Sequence, residues 1–183
     1  MTTNRFALFD TAIGRCGIAW GERGVTAVRL PEANDRAMRA SLLRRCPGAK
    51  EGLPPLDVQH AIEGIVALLD GAARDLSGVV LDMNGVPPFD RQVYEIARTI
   101  PPGATLTYGD IAKRMGEPGA ARDVGQALGH NPFPIVVPCH RVHAVGGKTG
   151  GFSAPGGVAT KLRILQIESA HAKGTLFDLD RTL

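Results

Sequence analysis

The stretch Asn84–Phe89, NGVPPF, constrains the fold most, because it divides the chain into two textures. Asn-Gly followed by Val-Pro-Pro continues neither a helix nor a central strand, so it marks a boundary or linker. Before it, short apolar runs alternate with turn residues. RFALFD, CGIAWG and VTAVRL read as strands, with GERG as a tight turn. PEANDRAMRASLLRRC is helical by propensity, with Pro31 suited to its first turn. LPPLDVQHAIEGIVALLDG holds a second helix with Val58, Ile62, Val66 and Leu69 as its apolar stripe, and GVVLDM reads as one more strand. After the boundary, FDRQVYEIARTI has helical spacing through Phe89, Val93, Ile96 and Ile100, and Pro101 and Pro102 stop it. The expectation is an α/β protein. A small N-terminal α/β support domain spans 1–84, and a mainly helical C-terminal domain spans 85–183.

The chain has 183 residues, 44% of them hydrophobic, which suffices for a real core and argues against wholesale disorder. The opening MTTNRFALFD has no apolar signal core, and no apolar run approaches membrane-spanning length. A soluble, cytoplasmic protein is expected. A net charge of +3 and a pI near 9.0 permit a polyanionic partner without specifying one. Cys16, Cys46 and Cys139 are odd in number and widely spaced, which suits a reducing compartment rather than a disulfide framework. A zinc site from Cys16, Cys46 and His60 would lack clustered ligands, so no metal is expected.

TYGDIAKRMGEPGAARDVGQALGHNP, Thr107–Pro132, has the organisation of a helix-turn-helix, about 107–129. Thr107 can cap a first helix, with Asp110 three residues on in the capping-box position. Ile111, Ala112 and Met115 form its buried side, and GEPG breaks it. A second helix turns Ala121, Val124 and Leu128 inward and presents Arg122, Gly125, Gln126 and Gly129. Such a flat, arginine-bearing face suits a nucleic-acid backbone; the plain alternative is an αα-hairpin with solvated charges.

The apolar run IVVP precedes Cys139, His140 and Arg141. Pro138 removes a backbone donor, which predicts that a strand ends there with Cys139 at its edge. Buried cysteine is commonly inert core. A neighbouring His and Arg, though, are costly to bury without partners. In VATKLRILQIESA, Glu168 lies three and four residues beyond Leu165 and Ile164, next to the apolar stripe. It turns either inward, toward a partner such as His140, or to water. A thiolate is the nucleophile, and a histidine poised by a carboxylate can take the thiol proton, with water bridging the adjacent side chains. GGKTGG is not a phosphate loop, because Val142 occupies the place of that motif's first glycine. Residues 146–157 read as a loop lining the site.

Together, NPFPIVVPCHRV, the preceding TYGDIAKRMGEPGAARDVGQALGH and the following GGFSAPGG and KLRILQIE closely resemble the O6-alkylguanine-DNA alkyltransferases, the methylated-DNA–protein-cysteine methyltransferases. The match is dense over Phe89–Glu168. The resemblance implies a winged helix-turn-helix that binds duplex DNA in the minor groove and flips the damaged guanine out of the stack. Cys139 would take the alkyl group from guanine O6, and less readily from thymine O4, once per molecule. His140 would act as base through water, oriented by Glu168, and Tyr108 would donate toward the guanine N3. Arg122 would fill the gap left by the flipped nucleotide, with Gly125 and Gln126 on the same DNA-facing helix. Asn131 would be the hinge before the active-site segment. Ser153 would contact O6, and the Val142 carbonyl would accept from the exocyclic amine. No cofactor or metal is implied, and the partner is double-stranded DNA bound by a monomer. SAPGG departs from the pattern by inserting Ala154-Pro155, Asp123 follows the arginine where alanine is commoner, and Phe89 and Tyr94 also differ. The rival classes are a non-catalytic winged-helix module recognising alkylated DNA and a thiol hydrolase or acyltransferase.

Overall fold

The computed structural model describes residues 3–147 and 154–179. Strands β1 (Arg5–Thr11), β2 (Gly14–Gly21) and β3 (Gly24–Arg29) form an antiparallel meander. Helix α1 (Asp35–Arg45) follows, then the short β4 (Lys50–Glu51), which pairs parallel with β1 and completes the order β3-β2-β1-β4. Helix α2 (Leu56–Leu69) closes this half.

Alternation along the strands sends side chains to two different layers. Ile18 and Trp20 join the main core with α2, whereas Phe6, Ala19 and Ala27 pack with Met38, Leu42 and Cys46 beneath α1. The helix lies close because Gly17 has no side chain; a Cβ there would stand 2.8 Å from Leu42. Cys16 and Cys46 therefore belong to separate clusters on opposite faces of the sheet, and His60 is exposed. Burial pushes the Cys16 thiol up to about 11 despite the Thr11 hydroxyl. Among the described residues no group of three His, Cys, Asp or Glu could hold a metal ion, and no helix is long and apolar enough to cross a membrane.

Helix α3 (Pro88–Ala97) begins the second half, and β5 (Leu106–Thr107) leads into α4 (Tyr108–Arg114) and α5 (Ala121–Gly129). The capping box forms: the Thr107 hydroxyl accepts from the Asp110 N–H at 3.0 Å, and the Asp110 carboxylate accepts from the Thr107 N–H at 2.8 Å. Ile111 and Ala112 of α4 and Val124, Ala127 and Leu128 of α5 are buried, while Met115 and Ala121 are only half-buried. β6 (Val142–His143) pairs parallel with β5 beside this helix-turn-helix, and α6 (Gly157–Leu179) follows.

Several expectations require correction. Helix α1 starts at Asp35, not near Pro31, because the Asn34 side chain accepts from the Ala37 N–H at 2.9 Å and caps it there. The buried stripe of α2 is Val58, Ala61, Ile65 and Leu68 with Leu69, and Ile62 and Val66 stand half-buried beside it. GVVLDM contributes only a single bridge, Leu81 to Val25, on the outer edge of β3. Helix α3 ends at Ala97, four residues before Pro101. Residues 135–138 form no strand; Cys139–Arg141 is a 3-10 turn. The same edge of β3 receives the second half directly, since the Val28 N–H donates to the Pro132 carbonyl at 2.9 Å. One hydrophobic cluster runs from Ile18 and Val28 through Ile65 to Phe133, Val137 and Ile164, so both halves share a core.

Candidate active site around Cys139

A clamp made by Asn131 sets the backbone leading to the thiol. Its Nδ2 donates to the Val137 carbonyl at 2.9 Å, and its Oδ1 accepts from the Phe133 N–H at 2.9 Å. Between these two points Ile135 is held at φ 74°, an unfavourable left-handed conformation for a β-branched residue. The clamp and the burial of Phe133, Ile135, Val136 and Val137 fix the chain so that it turns at Pro138. Cys139 emerges there half-buried, on a cleft of about 700 Å³ also lined by Tyr108, Gly125, Asn131, Ala154 and Lys161.

His140 lies behind the thiol at 1% exposure, and its Nε2 is 2.8 Å from Glu168 Oε1. Arg141, also buried, holds the same carboxylate through Nε at 3.1 Å and Nη2 at 2.7 Å, and its Nη1 donates to the Ile100 carbonyl at 2.6 Å. Burial pushes the Glu168 carboxyl up, but its bonds with His140 and Arg141 prevail and hold it at about 2. An ionised carboxylate only accepts, so His140 Nε2 carries the proton and Nδ1 the lone pair. That buried Nδ1 has no hydrogen-bond partner among the described residues. Burial lowers the imidazole below its ordinary value, against the pull of Glu168. Arg141 already balances the carboxylate charge, so His140 stays neutral and able to accept a proton.

Burial raises the Cys139 thiol; the Asn131 side chain, the Lys161 charge and nearby backbone N–H groups oppose this in part. Nothing in the sequence points to Lys161 as part of the site. Helical spacing reads a lysine as solvated, yet this one is 2% exposed and its Nζ donates to the Val142 carbonyl at 2.7 Å. Burial lowers its ammonium, and Cys139 pulls the other way.

Tyr108 opens α4 beside α5; a Cβ at Gly125 would touch its ring at 3.7 Å. Burial and the nearby Cys139 raise its phenol. Arg122 and Gln126 are exposed on α5 and do not line the cleft, and Asp123 is exposed beside them. Ala154 and Pro155, the inserted pair, do line it. Ser153 lies outside the described residues. Tyr94, the other departure, is buried and its hydroxyl donates to the Ala127 carbonyl at 2.8 Å, tying α3 to the last turn of α5.

The arrangement places a half-buried thiol on a cleft, a neutral imidazole held by a buried carboxylate, and a helix-turn-helix on the same rim, groups that can act as nucleophile and base. The model of the 6-O-methylguanine DNA methyltransferase, DNA binding domain, matches residues 88–170. A methylated-DNA–protein-cysteine methyltransferase of Methanothermobacter thermautotrophicus is 36% identical over 158 residues, 86% of this chain and 81% of that protein. One from Mycobacterium bovis is 36% identical over 175 residues, 94% of this chain and 98% of that protein. The crystal structure of Mycobacterium tuberculosis OGT in complex with DNA superposes with a TM-score of 0.73 at 31% identity, covering 91% of this chain and 94% of that one. The chain belongs to the methylated-DNA–protein-cysteine methyltransferase family.

Proposed function

We propose that the protein repairs DNA by direct reversal, moving an alkyl group from guanine O6, and more weakly from thymine O4, onto Cys139. The observation that carries this reading is the half-buried thiol on a cleft shared with Tyr108 and Gly125 of the helix-turn-helix, backed by the buried His140–Glu168 pair. We read 1–84 as the supporting part and 85–183 as the part that docks duplex DNA. Arg122, Gly125 and Gln126 of α5 face the minor groove, and Arg122 fills the stack when the damaged base turns out into the cleft. All the groups required come from one chain, so a monomer suffices.

The thiol rests protonated, because burial raises it. Its proton passes through a water to the lone pair on His140 Nδ1, and Glu168 stabilises the cation that forms. The sulfur then attacks the alkyl carbon, a C–S bond forms as the C–O6 bond breaks, and the bonding pair stays with the guanine. Tyr108 donates toward N3, stabilising the negative charge that builds on the leaving base. The proton held on His140 returns through water to the base, leaving guanine, S-alkylcysteine and a neutral imidazole. No step removes the alkyl group, so each molecule reacts once. The Val142 carbonyl, held by Lys161, keeps a second lone pair for the exocyclic amine. Ser153 is assigned to O6 from the family pattern alone.

Intact-mass measurement after incubation with duplex DNA carrying O6-methylguanine tests the proposal. The expected result is a gain of one methylene by the wild type and none by Cys139→Ala. Absence of an adduct on the wild type refutes it.

A further inference from the structure

Part of the cleft wall comes from the N-terminal half. Arg29, at the end of β3, and Arg44 and Arg45, in the last turn of α1, line the same space as Cys139, Gly125 and His130. Arg29 is half-buried with its Nη1 on the Val28 carbonyl at 3.0 Å, while Arg44 and Arg45 are exposed. Among the described residues, none of the three enters an ion pair and Glu32 is the only carboxylate in the lining. Burial and the charges of Arg45 and Arg44 lower the Arg29 guanidinium, with only partial relief from Cys46 and Glu32.

A basic last turn complements the helix dipole of α1. It does not explain a third arginine brought beside the other two from a different element. Three like charges gathered against a single carboxylate along a concave wall attract an anion, and guanidinium forks match phosphate oxygens. The cleft leads from these arginines past α5 to the thiol. A nucleotide entering it from a duplex carries its flanking phosphates to the rim.

We propose that Arg29, Arg44 and Arg45 receive backbone phosphates of the DNA strand whose nucleotide enters the cleft, making the N-terminal half a second DNA-gripping surface beside α5. This rests on the reading of alkylated DNA as substrate.

The test is the salt dependence of duplex binding by the full chain. Each lost phosphate contact lowers the slope of log affinity against log salt by about 0.9, and costs roughly eightfold in affinity at 0.1 M salt. Arg44→Ala/Arg45→Ala should lower the slope by about 1 to 2 with an unchanged melting temperature, and Arg44→Lys/Arg45→Lys should keep most of it. An unchanged slope in the alanine variant overturns the proposal. So does a loss of slope that accompanies a lowered melting temperature in both variants, which marks a structural role. A melting-temperature rise with inorganic phosphate that the alanine variant loses, with the DNA slope intact, marks a small-anion site and also overturns it. Methyl transfer from O6-methylguanine duplex to the wild type is read separately by mass. Its absence removes the underlying substrate reading, whereas transfer with an unchanged slope removes only the arginine wall.

Discussion

Glu168→Gln keeps the size of the side chain and removes its charge. In the wild type this carboxylate, 3% exposed, accepts from His140 at 2.8 Å and from Arg141 at 2.7 and 3.1 Å. Those bonds overcome the effect of burial and bring the carboxyl from its ordinary 4.5 to about 2, which corresponds to about 3 kcal/mol. The substitution also leaves the Arg141 guanidinium buried without a counter-charge, a defect that costs about 3–5 kcal/mol. For a chain of this size each kcal/mol moves the melting temperature by about 2–4 °C, so the variant should melt about 6–20 °C lower at pH 7. The sign of the pH dependence follows from linkage. A carboxyl depressed by folding stabilises the fold above its unfolded value, and loses that contribution as pH falls toward its folded value. The gap between wild type and variant should be full at pH 7 and narrow below about 4.5. His140, kept neutral by burial, adds a wild-type loss that begins below its ordinary 6.5, as the unfolded chain gains the proton first. Thermal unfolding by circular dichroism across this range measures both effects. A drop under about 2 °C at pH 7, or a gap that stays constant into the acid range, would refute the reasoning.

Two other substitutions probe the surroundings of the site. Lys161→Met removes the ammonium that counteracts burial at Cys139, so the pH profile of thiol alkylation by iodoacetamide should move to higher pH. A thiol that ionises one pH unit higher reacts about tenfold more slowly at pH 7. A profile that stays in place would show that the lysine only holds the Val142 carbonyl. Tyr94→Phe removes the 2.8 Å donor to the buried Ala127 carbonyl, which keeps the His130 N–H at 3.2 Å, and should cost about 0.5–1.5 kcal/mol in a denaturant melt; an unchanged midpoint contradicts that.

Local signals in the sequence carried far. Thr107 and Asp110 announce the start of α4 because a capping box is completed within four residues. Glu168 could be placed beside the apolar stripe of α6 by counting from Ile164, which is fully buried. What the sequence left undecided was whether that carboxylate faces the protein or water, since periodicity says where a residue lies and not what meets it. The run before Cys139 misleads for a related reason. A short apolar stretch looks the same in a strand and in buried irregular chain, and here the Asn131 clamp and the turn at Ile135 decide. Lys161 and the Tyr94 hydroxyl escape sequence reasoning altogether, because a carbonyl from another element satisfies each. Arg141 read as a companion of His140; its second task, neutralising the carboxylate so that the imidazole stays uncharged, depends on the fold.

Lys161 and Glu168 sit two turns apart on α6, one reaching the Val142 carbonyl and the other the His140–Arg141 pair. One rigid rod thus tunes the thiol from both ends, and that rod is made after the thiol. On a translating ribosome Cys139 is polymerised nearly thirty residues before Glu168, with neither the adjacent imidazole held by its carboxylate nor its neighbouring cation delivered. The nascent chain carries an ordinary sulfhydryl, and a reagent that can be spent only once becomes armed when the rod seats.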